Sequence, residues 1–586
     1  MRAFLPKMPE PVTAAVEKLL RLDQLTSMWR EAARDAAGGQ DMADRLLSDL
    51  GVRIELSSGD LAKIPETGPV LVVANHPTGM LEGLLLMSVL PKVRKDFKIL
   101  ANSMLGAIPQ MREHLFLVDV NDDTAAAQTN VKPVAEALQW LHNGGLLALF
   151  PAGVVSTWDW KQISNTDPVW NRGAARFAAV TGAVTVPVYF SGGNSAVFQM
   201  LGKIHPALRV ARMPGELLSK RGTNVEMRVG HPINALELRA AGGLEAQIEF
   251  LRTRTYLLGL RGRNEGKIEQ LHSTPLQPGE SSLEMQAEIA ALPPESKLAS
   301  QGAFDVYVAR ARQIPAVLTN IGYLRELTFR AAGEGAGAAA DLDSFDAYYE
   351  HLFIWHRENR EVVGAYRLSK TEPILKRLGA SGLYTNTCFR FQPAFFHKVG
   401  PAIELGRSFI QAKYQSEFAP LLLLWKGICR YVAANPAYPV LFGAVSISNR
   451  YGSLSRALIV EYFKTHAIDD GLSQTVKPRN PFKGPLLSGA ELRRYAKALH
   501  SVDALSSALE EVESDGKGAP VLLRQYAKYG GRVIAFHVDR DFSDTLDCLI
   551  LVDLRKTGKV ALNRFMGTQE AAAFERFHNG QGERES

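Results

Sequence analysis

Cysteine is scarce. The 586 residues contain three, Cys388, Cys429 and Cys548, far apart and without a Cys-x-x-Cys pair. That excludes a disulfide framework and a structural zinc site, predicts core positions for all three thiols, and leaves a reducing cytosol as the expected compartment. Charge of one sign is scarce too. Sixty-seven Lys plus Arg against 61 Asp plus Glu leave a net charge of +6, too small a surplus to argue for nucleic acid as a partner. The pI near 9.0 suits work beside an anionic membrane surface. Long apolar runs are missing: no window of about 18 uncharged apolar residues occurs, so no membrane-spanning helix is expected. Residues 1–20 include Lys7, Glu10, Glu17 and Lys18 and have no apolar h-region, so no signal peptide is read. No internal repeat appears, so the two halves are not copies of each other.

What is present is an ordinary globular composition, 46% apolar and 22% charged, over a length that implies about two to four domains. Residues 1–50 have helical apolar spacing, seen in Ala15, Leu19 and Leu20 and again in Met42, Leu46, Leu47 and Leu50. Over 51–262 short β-rich runs at 52–56, 70–74, 98–101, 115–118, 146–150 and 184–189 alternate with helical stretches, which predicts an α/β domain. Residues 263–300, with Pro275, Pro278, Pro293 and Pro294, read as a linker with one short helix over 283–291. A second α/β domain is expected over 301–580. It has a helix at 314–330, a Gly/Ala-rich loop at 331–340, strands at 352–355, 362–368 and 549–553, and a Pro-rich loop at 477–485.

One segment of the first domain carries chemistry. Val73-Ala-Asn-His-Pro-Thr-Gly-Met-Leu-Glu-Gly83 puts a histidine directly after a buried strand and a carboxylate six residues later. Acylating a hydroxyl requires removal of its proton as it attacks a thioester carbonyl. A neutral imidazole accepts that proton, and a carboxylate fixes its tautomer and stabilises the imidazolium. Pro77 and Gly79 would shape the turn returning Glu82 to His76. By themselves these residues better fit a core histidine beside a helix capped by Thr78. The later blocks Leu115-Phe-Leu-Val-Asp119, Leu146-Leu-Ala-Leu-Phe-Pro-Ala-Gly-Val-Val-Ser156 and Val184-Thr-Val-Pro-Val-Tyr-Phe190 follow in order. Together, over about residues 50–240, they resemble the glycerolipid acyltransferase family. That resemblance implies an O-acyltransferase with His76 and Glu82 as catalytic pair and Asn75, Gly79, Phe150, Pro151, Gly153 and Ser156 around the substrates. The chain departs from the family pattern Phe-Pro-Glu-Gly-Thr-Arg-Ser: Ala152 stands for the acid and Val155 for the arginine thought to hold the acceptor phosphate. A valine cannot neutralise a phosphate, so an acceptor without a phosphate is expected. The rival is a substitute cation such as Arg172 or Lys161.

In the second domain, Asp341-Leu-Asp-Ser-Phe-Asp346 precedes Val362-Val-Gly-Ala-Tyr-Arg-Leu368 and Ala402-Ile-Glu-Leu-Gly-Arg-Ser-Phe409. Read singly, these are a solvated acidic loop and strand-end charges. Together, over about 300–560, they resemble the N-acyltransferases related to ornithine lipid synthesis and to acyl-homoserine lactone synthases, on a GNAT-like fold. The resemblance implies that Asp343 and Asp346 bind an amino-acid substrate, that Glu404 acts as base or orients a water, and that Arg367 and Arg407 organise these acids or the substrate carboxylate. Arg330-Ala-Ala-Gly-Glu-Gly335 has the spelling of a pyrophosphate loop but follows a predicted helix instead of opening one. Acyl carrier protein is therefore a better expected donor than acyl-CoA, with no bound cofactor and no metal. Lys92, Arg94, Lys95 and Lys98 could meet the acidic carrier; a solvated face or membrane contact explains them equally well.

The domain order resembles a bifunctional ornithine lipid synthase. That implies N-acylation of ornithine with a 3-hydroxyacyl group, then O-acylation of the resulting hydroxyl, at the inner face of the cytoplasmic membrane. The alternatives are the same chemistry on lysine, glutamine or glycine, or a lysophospholipid O-acyltransferase joined to a non-catalytic module that binds carrier protein or membrane.

Overall fold

A computed structural model describes residues 22–582 except 35, 37, 38, 120–123, 160–163, 205, 263–273, 276–280, 336, 416, 417, 485–488 and 541. The expected helix around Ala15–Leu20 lies outside these residues. The chain divides into two compact units, Met1–Arg263 with Ala498–Lys517, and Asn264–Lys497 with Gly518–Ser586. Both are mixed α/β.

The first unit is built on a seven-stranded sheet. In chain order its strands are β1 (Arg53–Glu55), β2 (Val70–Ala74), β3 (Phe97–Asn102), β4 (Leu115–Val118), β5 (Leu146–Leu149), β6 (Val184–Phe190) and β7 (Asn224–Val229). The spatial order is β1-β7-β6-β2-β5-β3-β4. All pairs are parallel except β6 with β7. β2 is central and every residue in it is buried, which explains its unbroken apolar run: both faces are covered, so no alternation is needed. The helices Gly39–Asp49 and Met80–Val89 pack together as part of that cover. Because β2, β5 and β6 run parallel, the turns after all three emerge at one edge, where parallel α/β sheets place their chemistry.

Residues 498–517 return to this unit. Arg254 and Glu511, side chains 1% and 0% exposed, form a two-pronged ion pair at 2.9 and 2.6 Å. Glu511 also accepts the His231 N–H at 2.9 Å, and its carbonyl accepts from Arg261 Nε at 2.8 Å.

The second unit has an eight-stranded sheet. Its strands are β8 (Lys297–Gln301), β9 (Phe304–Arg310), β10 (Glu350–His356), β11 (Glu361–Lys370), β12 (Ala402–Ile410), β13 (Val440–Ile447), β14 (Arg532–Asp539) and β15 (Thr545–Asp553), in the order β8-β9-β10-β11-β12-β13-β15-β14. β8 begins within the expected linker and crosses its end, and the short strand Val476–Pro478 overlaps the start of the expected Pro-rich loop. Neighbours are antiparallel except β12 and β13. That parallel pair is registered only over 402–404 with 440–442; beyond it the two strands have no ladder between them, leaving a wedge. Arg407 bulges β12 where it leaves the pairing, with φ +50 in a region that L residues rarely occupy.

Among the described residues no helix is long and apolar enough to cross a membrane.

Candidate active sites

In the first unit the turn after β2 is fixed by backbone and amide hydrogen bonds. Asn75 clamps two strands: its Nδ2 donates to the Phe190 carbonyl at 2.9 Å and its Oδ1 accepts the Phe190 N–H at 2.7 Å. The next residue, His76, is held by its backbone. Its N–H donates to Asp167 Oδ1 at 3.1 Å and its carbonyl accepts the Ser156 N–H at 2.9 Å. The ring stacks on Phe150, with centroids 4.2 Å apart.

Glu82 opens the helix Met80–Val89 and folds back over its N-terminus. It accepts from Thr78 N, Thr78 Oγ1 and Gly79 N, each at 2.7 Å. Thr78 is thus not the cap that the bland reading of the sequence allowed; Gly79 occupies that position and Glu82 supplies the acceptor. Gly79 has φ +103, and a Cβ there would stand 2.6 Å from Met213 Cε and 3.1 Å from Val155 Cγ2, so the turn admits glycine best. This geometry closes the six-residue gap: His76 Nδ1 lies 3.5 Å from Glu82 Oε2. That is an ion-pair distance but long for a hydrogen bond, and Nδ1 is buried without a hydrogen-bond partner. Burial favours the neutral carboxyl, but His76 and the Thr78 donors outweigh it and leave Glu82 below the usual glutamate range. The helix N-terminus favours the same ionised form.

The turn after β5 has its own backbone bonding. Two N–H groups are committed internally: Gly153 N closes onto the Phe150 carbonyl at 3.0 Å and Ser156 N meets His76. Ser156 Oγ donates to Asp167, and Trp170 Nε1 donates to the other Asp167 oxygen at 2.8 Å. Asp167 is the residue missed by the sequence reading, because no local pattern marks it; it gathers His76, Ser156 and Trp170 at one carboxylate. Val155 is buried against the Gly79 turn. Arg172 pairs with Glu245 at the surface, and Lys161 lies outside the described residues. The basic cluster is largely spent on structure. Arg94 is buried on Asp96 and the Gly68 and Gly144 carbonyls, and Lys98 donates to the Glu113 carbonyl, leaving Lys92 and Lys95 exposed.

In the second unit the three acids of 341–346 meet three arginines. Asp346 takes Arg325 Nη2 at 2.8 Å and Arg367 Nη1 at 3.2 Å. Asp343 pairs with Arg367 and with Arg407 at 3.6 Å, and Asp341 lies 3.4 Å from Arg407 Nε. Arg367 sits among Phe345, Tyr349 and Tyr384, 5.0–5.6 Å from their ring centroids. Arg407 lies over Tyr384 and Phe542. Burial opposes the Asp346 charge, yet Arg325 and Arg367 hold its carboxyl well below the ordinary range. Asp343 is the most exposed of the three acids, its side chain 27% accessible. Arg325 was not singled out from the sequence.

Glu404 is 1% exposed. It accepts from Tyr349 Oη, Thr385 Oγ1, Thr385 N at 2.7 Å and Tyr384 N at 3.2 Å. A carboxylate offers about four acceptor sites, so these donors engage all of them. The wedge between β12 and β13 opens instead onto Glu334, Tyr384, Arg407, Ser446, Asp539 and Asp547. Burial and the charge of Asp547 push Glu334 up to about 7, and burial and the charge of Asp539 push Asp547 up to about 7. Arg330 stands near the C-terminal end of the helix Pro315–Ala332, with Gly333 left-handed at its cap. Its loop therefore faces the negative end of the helix, unlike a pyrophosphate cradle.

Cys388, expected in the core, is buried, but its thiol faces two acids. Sγ lies 3.6 Å from Asp547 Oδ2 and 3.8 Å from Asp539 Oδ2, with His537 completing the group. Such a donor set is of the kind that binds a divalent cation. His537 does not fit that role here. Its Nδ1 accepts the Asn480 N–H at 3.0 Å, so in the neutral ring Nε2 carries the proton and neither nitrogen presents a lone pair.

Comparison with known proteins assigns each stretch to a family. Residues 45–262 match the family described as "Acyltransferase", and residues 324–426 match the "Acetyltransferase (GNAT) domain". The chain is 35% identical over 187 residues to a "Glycine N(alpha)-acyltransferase" of Bacteroides thetaiotaomicron, covering 30% of this chain and 55% of that protein. It is 22% identical over 232 residues to a "Lyso-glycine lipid O-acyltransferase" of Phocaeicola vulgatus, 38% of this chain and 79% of that protein. It is 29% identical over 160 residues to an "L-ornithine N(alpha)-acyltransferase" of Brucella abortus, 25% of this chain and 53% of that protein. The chain thus spans about half the length of the N-acyltransferases it matches. It joins an N-terminal acyltransferase domain to a C-terminal GNAT domain.

Proposed function

We propose that the chain is a bifunctional aminolipid synthase. The GNAT domain transfers a 3-hydroxyacyl group from acyl carrier protein to the α-amine of an amino acid. The acyltransferase domain then acylates the hydroxyl of that new N-acyl chain. The carrying observation is Val155, 5% exposed and packed on the Gly79 turn, where a phosphate-binding cation is expected. An acceptor without a phosphate fits that turn, and an N-acyl amino acid is such an acceptor.

In the O-acylation step His76 takes the proton of the attacking hydroxyl, and Glu82 orients the imidazole and stabilises its cation. Phe150 fixes the ring plane, while Asn75, Gly79, Pro151, Gly153 and Ser156 shape the edge where the substrates meet. In the N-acylation step Asp343, Arg367 and Arg407 form the polar wall that receives the amino acid. Asp346 and Glu404 position that wall from behind. The donor is a carrier-protein thioester, since the Arg330 loop offers no pyrophosphate cradle. The enzyme works at the membrane surface, where its second product resides. Carrying both steps on one chain keeps the amphiphilic intermediate at a high effective concentration.

Two amino acids compete. Ornithine is favoured by the surplus of acids at the wedge, because Glu334, Asp539 and Asp547 exceed what one amine needs. Glycine is favoured by the names of three relatives. The test is expression in a host without aminolipids, followed by mass spectrometry of total lipid, in which the head-group mass separates the two. Wild type should yield a diacylated amino acid, His76→Ala only the monoacyl form, and Glu404→Ala neither. Diacyl product from His76→Ala would overturn the assignment of the first domain.

A further inference from the structure

The N-acylation reading needs a base, and Glu404 has no acceptor site left for a substrate proton. The wedge provides a different carboxylate. Asp547 lies on β15 directly opposite Ser446 of β13, at the end of β13 where β12 has already diverged. Ser446 Oγ donates to Asp547 Oδ1 at 3.0 Å. That bond fixes the carboxylate plane and leaves Oδ2 with only the weak Cys388 thiol contact at 3.6 Å among the described residues. Asp547 lines the same wedge as the bulged Arg407.

We infer that Asp547 is the general base of amide formation, receiving the proton of the acceptor amine in the wedge between β12 and β13. This rests on the N-acyltransferase reading above. A substrate ammonium gives one proton to Asp547 Oδ2. The freed nitrogen lone pair attacks the thioester carbonyl and the C–N bond forms. On collapse the C–S bond breaks, and the departing sulfur leaves as a thiol carrying the second nitrogen proton. The products are amide, thiol and one proton on Asp547, which solvent then takes.

The groups around Asp547 set its working range. Burial and Asp539 on β14 push its carboxyl up, Ser446 and Cys388 oppose them by hydrogen bonding, and Arg407 on β12 opposes them by charge, leaving it at about 7. His537, cross-strand from Asp547 on β14, and Glu334 and Tyr384 beside the wedge are further titratable neighbours. A base titrating near the operating pH suits an ammonium that must be bound charged and used neutral.

The experiment uses the full chain, acyl carrier protein thioester and either glycine or ornithine, with amide formation followed against pH. Wild-type kcat should rise through an acid limb near pH 7. Asp547→Asn should lower kcat by roughly 10²–10⁴-fold and abolish that limb, with an unchanged melting profile. Ser446→Ala keeps the test decisive if the first variant misfolds: losing the donor should move the limb upward. Near-wild-type kcat in Asp547→Asn, or an unmoved limb in Ser446→Ala, would overturn the inference. If wild type acylates no amine at all, the N-acyltransferase reading falls first and this inference with it.

Discussion

Asp167 Oδ1 accepts the backbone N–H of His76 from 91 residues away in sequence, at 3.1 Å. The same carboxylate takes Ser156 Oγ and Trp170 Nε1, so one side chain ties the histidine turn to the turn after β5. Asp167→Ala strands three donors in a buried place, each costing about 1–3 kcal/mol. The variant should melt well below wild type, and O-acyl transfer should fall by more than the loss of folded protein explains. Calorimetry with assays on the residual folded fraction checks both.

Glu82→Gln tests the pair itself. The Glu82 carboxyl sits below its ordinary value of 4.5 in the folded state. A lowered folded value means that its stabilisation is fully present above the unfolded value and is lost as pH falls through the folded one. Wild type should therefore lose stability relative to Glu82→Gln below about pH 4.5. At neutral pH the order reverses, because the amide places an N–H group against the donors of Thr78 and Gly79. Denaturant unfolding of both proteins across pH measures the crossover, and monoacyl lipid should accumulate in the variant.

Glu404→Gln separates positioning from proton transfer. The amide turns an NH2 towards two of the four donors from Tyr349, Tyr384 and Thr385, at a cost of about 1–3 kcal/mol. N-acylation should slow while the acid limb of kcat stays where it is. A limb that disappears in Glu404→Gln would return the base role to this residue.

Glu511→Ala should destabilise the first unit by about 3–5 kcal/mol, since it leaves the Arg254 guanidinium buried without its main partner. Replacing both residues by apolar ones should recover part of that loss. Thermal unfolding of the single and double variants measures the coupling.

The strands of the first unit were largely legible in the sequence, because β2 and β5 are buried on both faces and must be continuously apolar; of the second unit's strands only β10, β11 and β15 were expected. The histidine turn was legible for the same reason: a histidine directly after such a strand can only sit at the sheet edge. Asp167 and Arg325 were not, since their roles are contacts over 91 and 21 residues that no local period encodes. Glu404 looked like a free carboxylate in the sequence, and only the surrounding donors reveal that it is occupied. Asp547 was not singled out and lies just before the expected strand 549–553; its position opposite Ser446 and its access to the wedge come from strand register and divergence. Lys98 and Arg94 read as surface charge until folding placed carbonyls around them.

The return of residues 498–517 to the first unit also sets an order in time. A ribosome releases Arg254 long before Glu511, and the intervening stretch encodes β8 through β13 of the other unit. The first unit cannot finish its interior until six strands of the second have emerged. Synthesis therefore interleaves the two folding events, although domains generally fold as units in the order they appear. A message truncated between codons 254 and 511 yields a first unit whose Arg254 lacks Glu511, a cation left without its main partner, which is the kind of product that quality control removes.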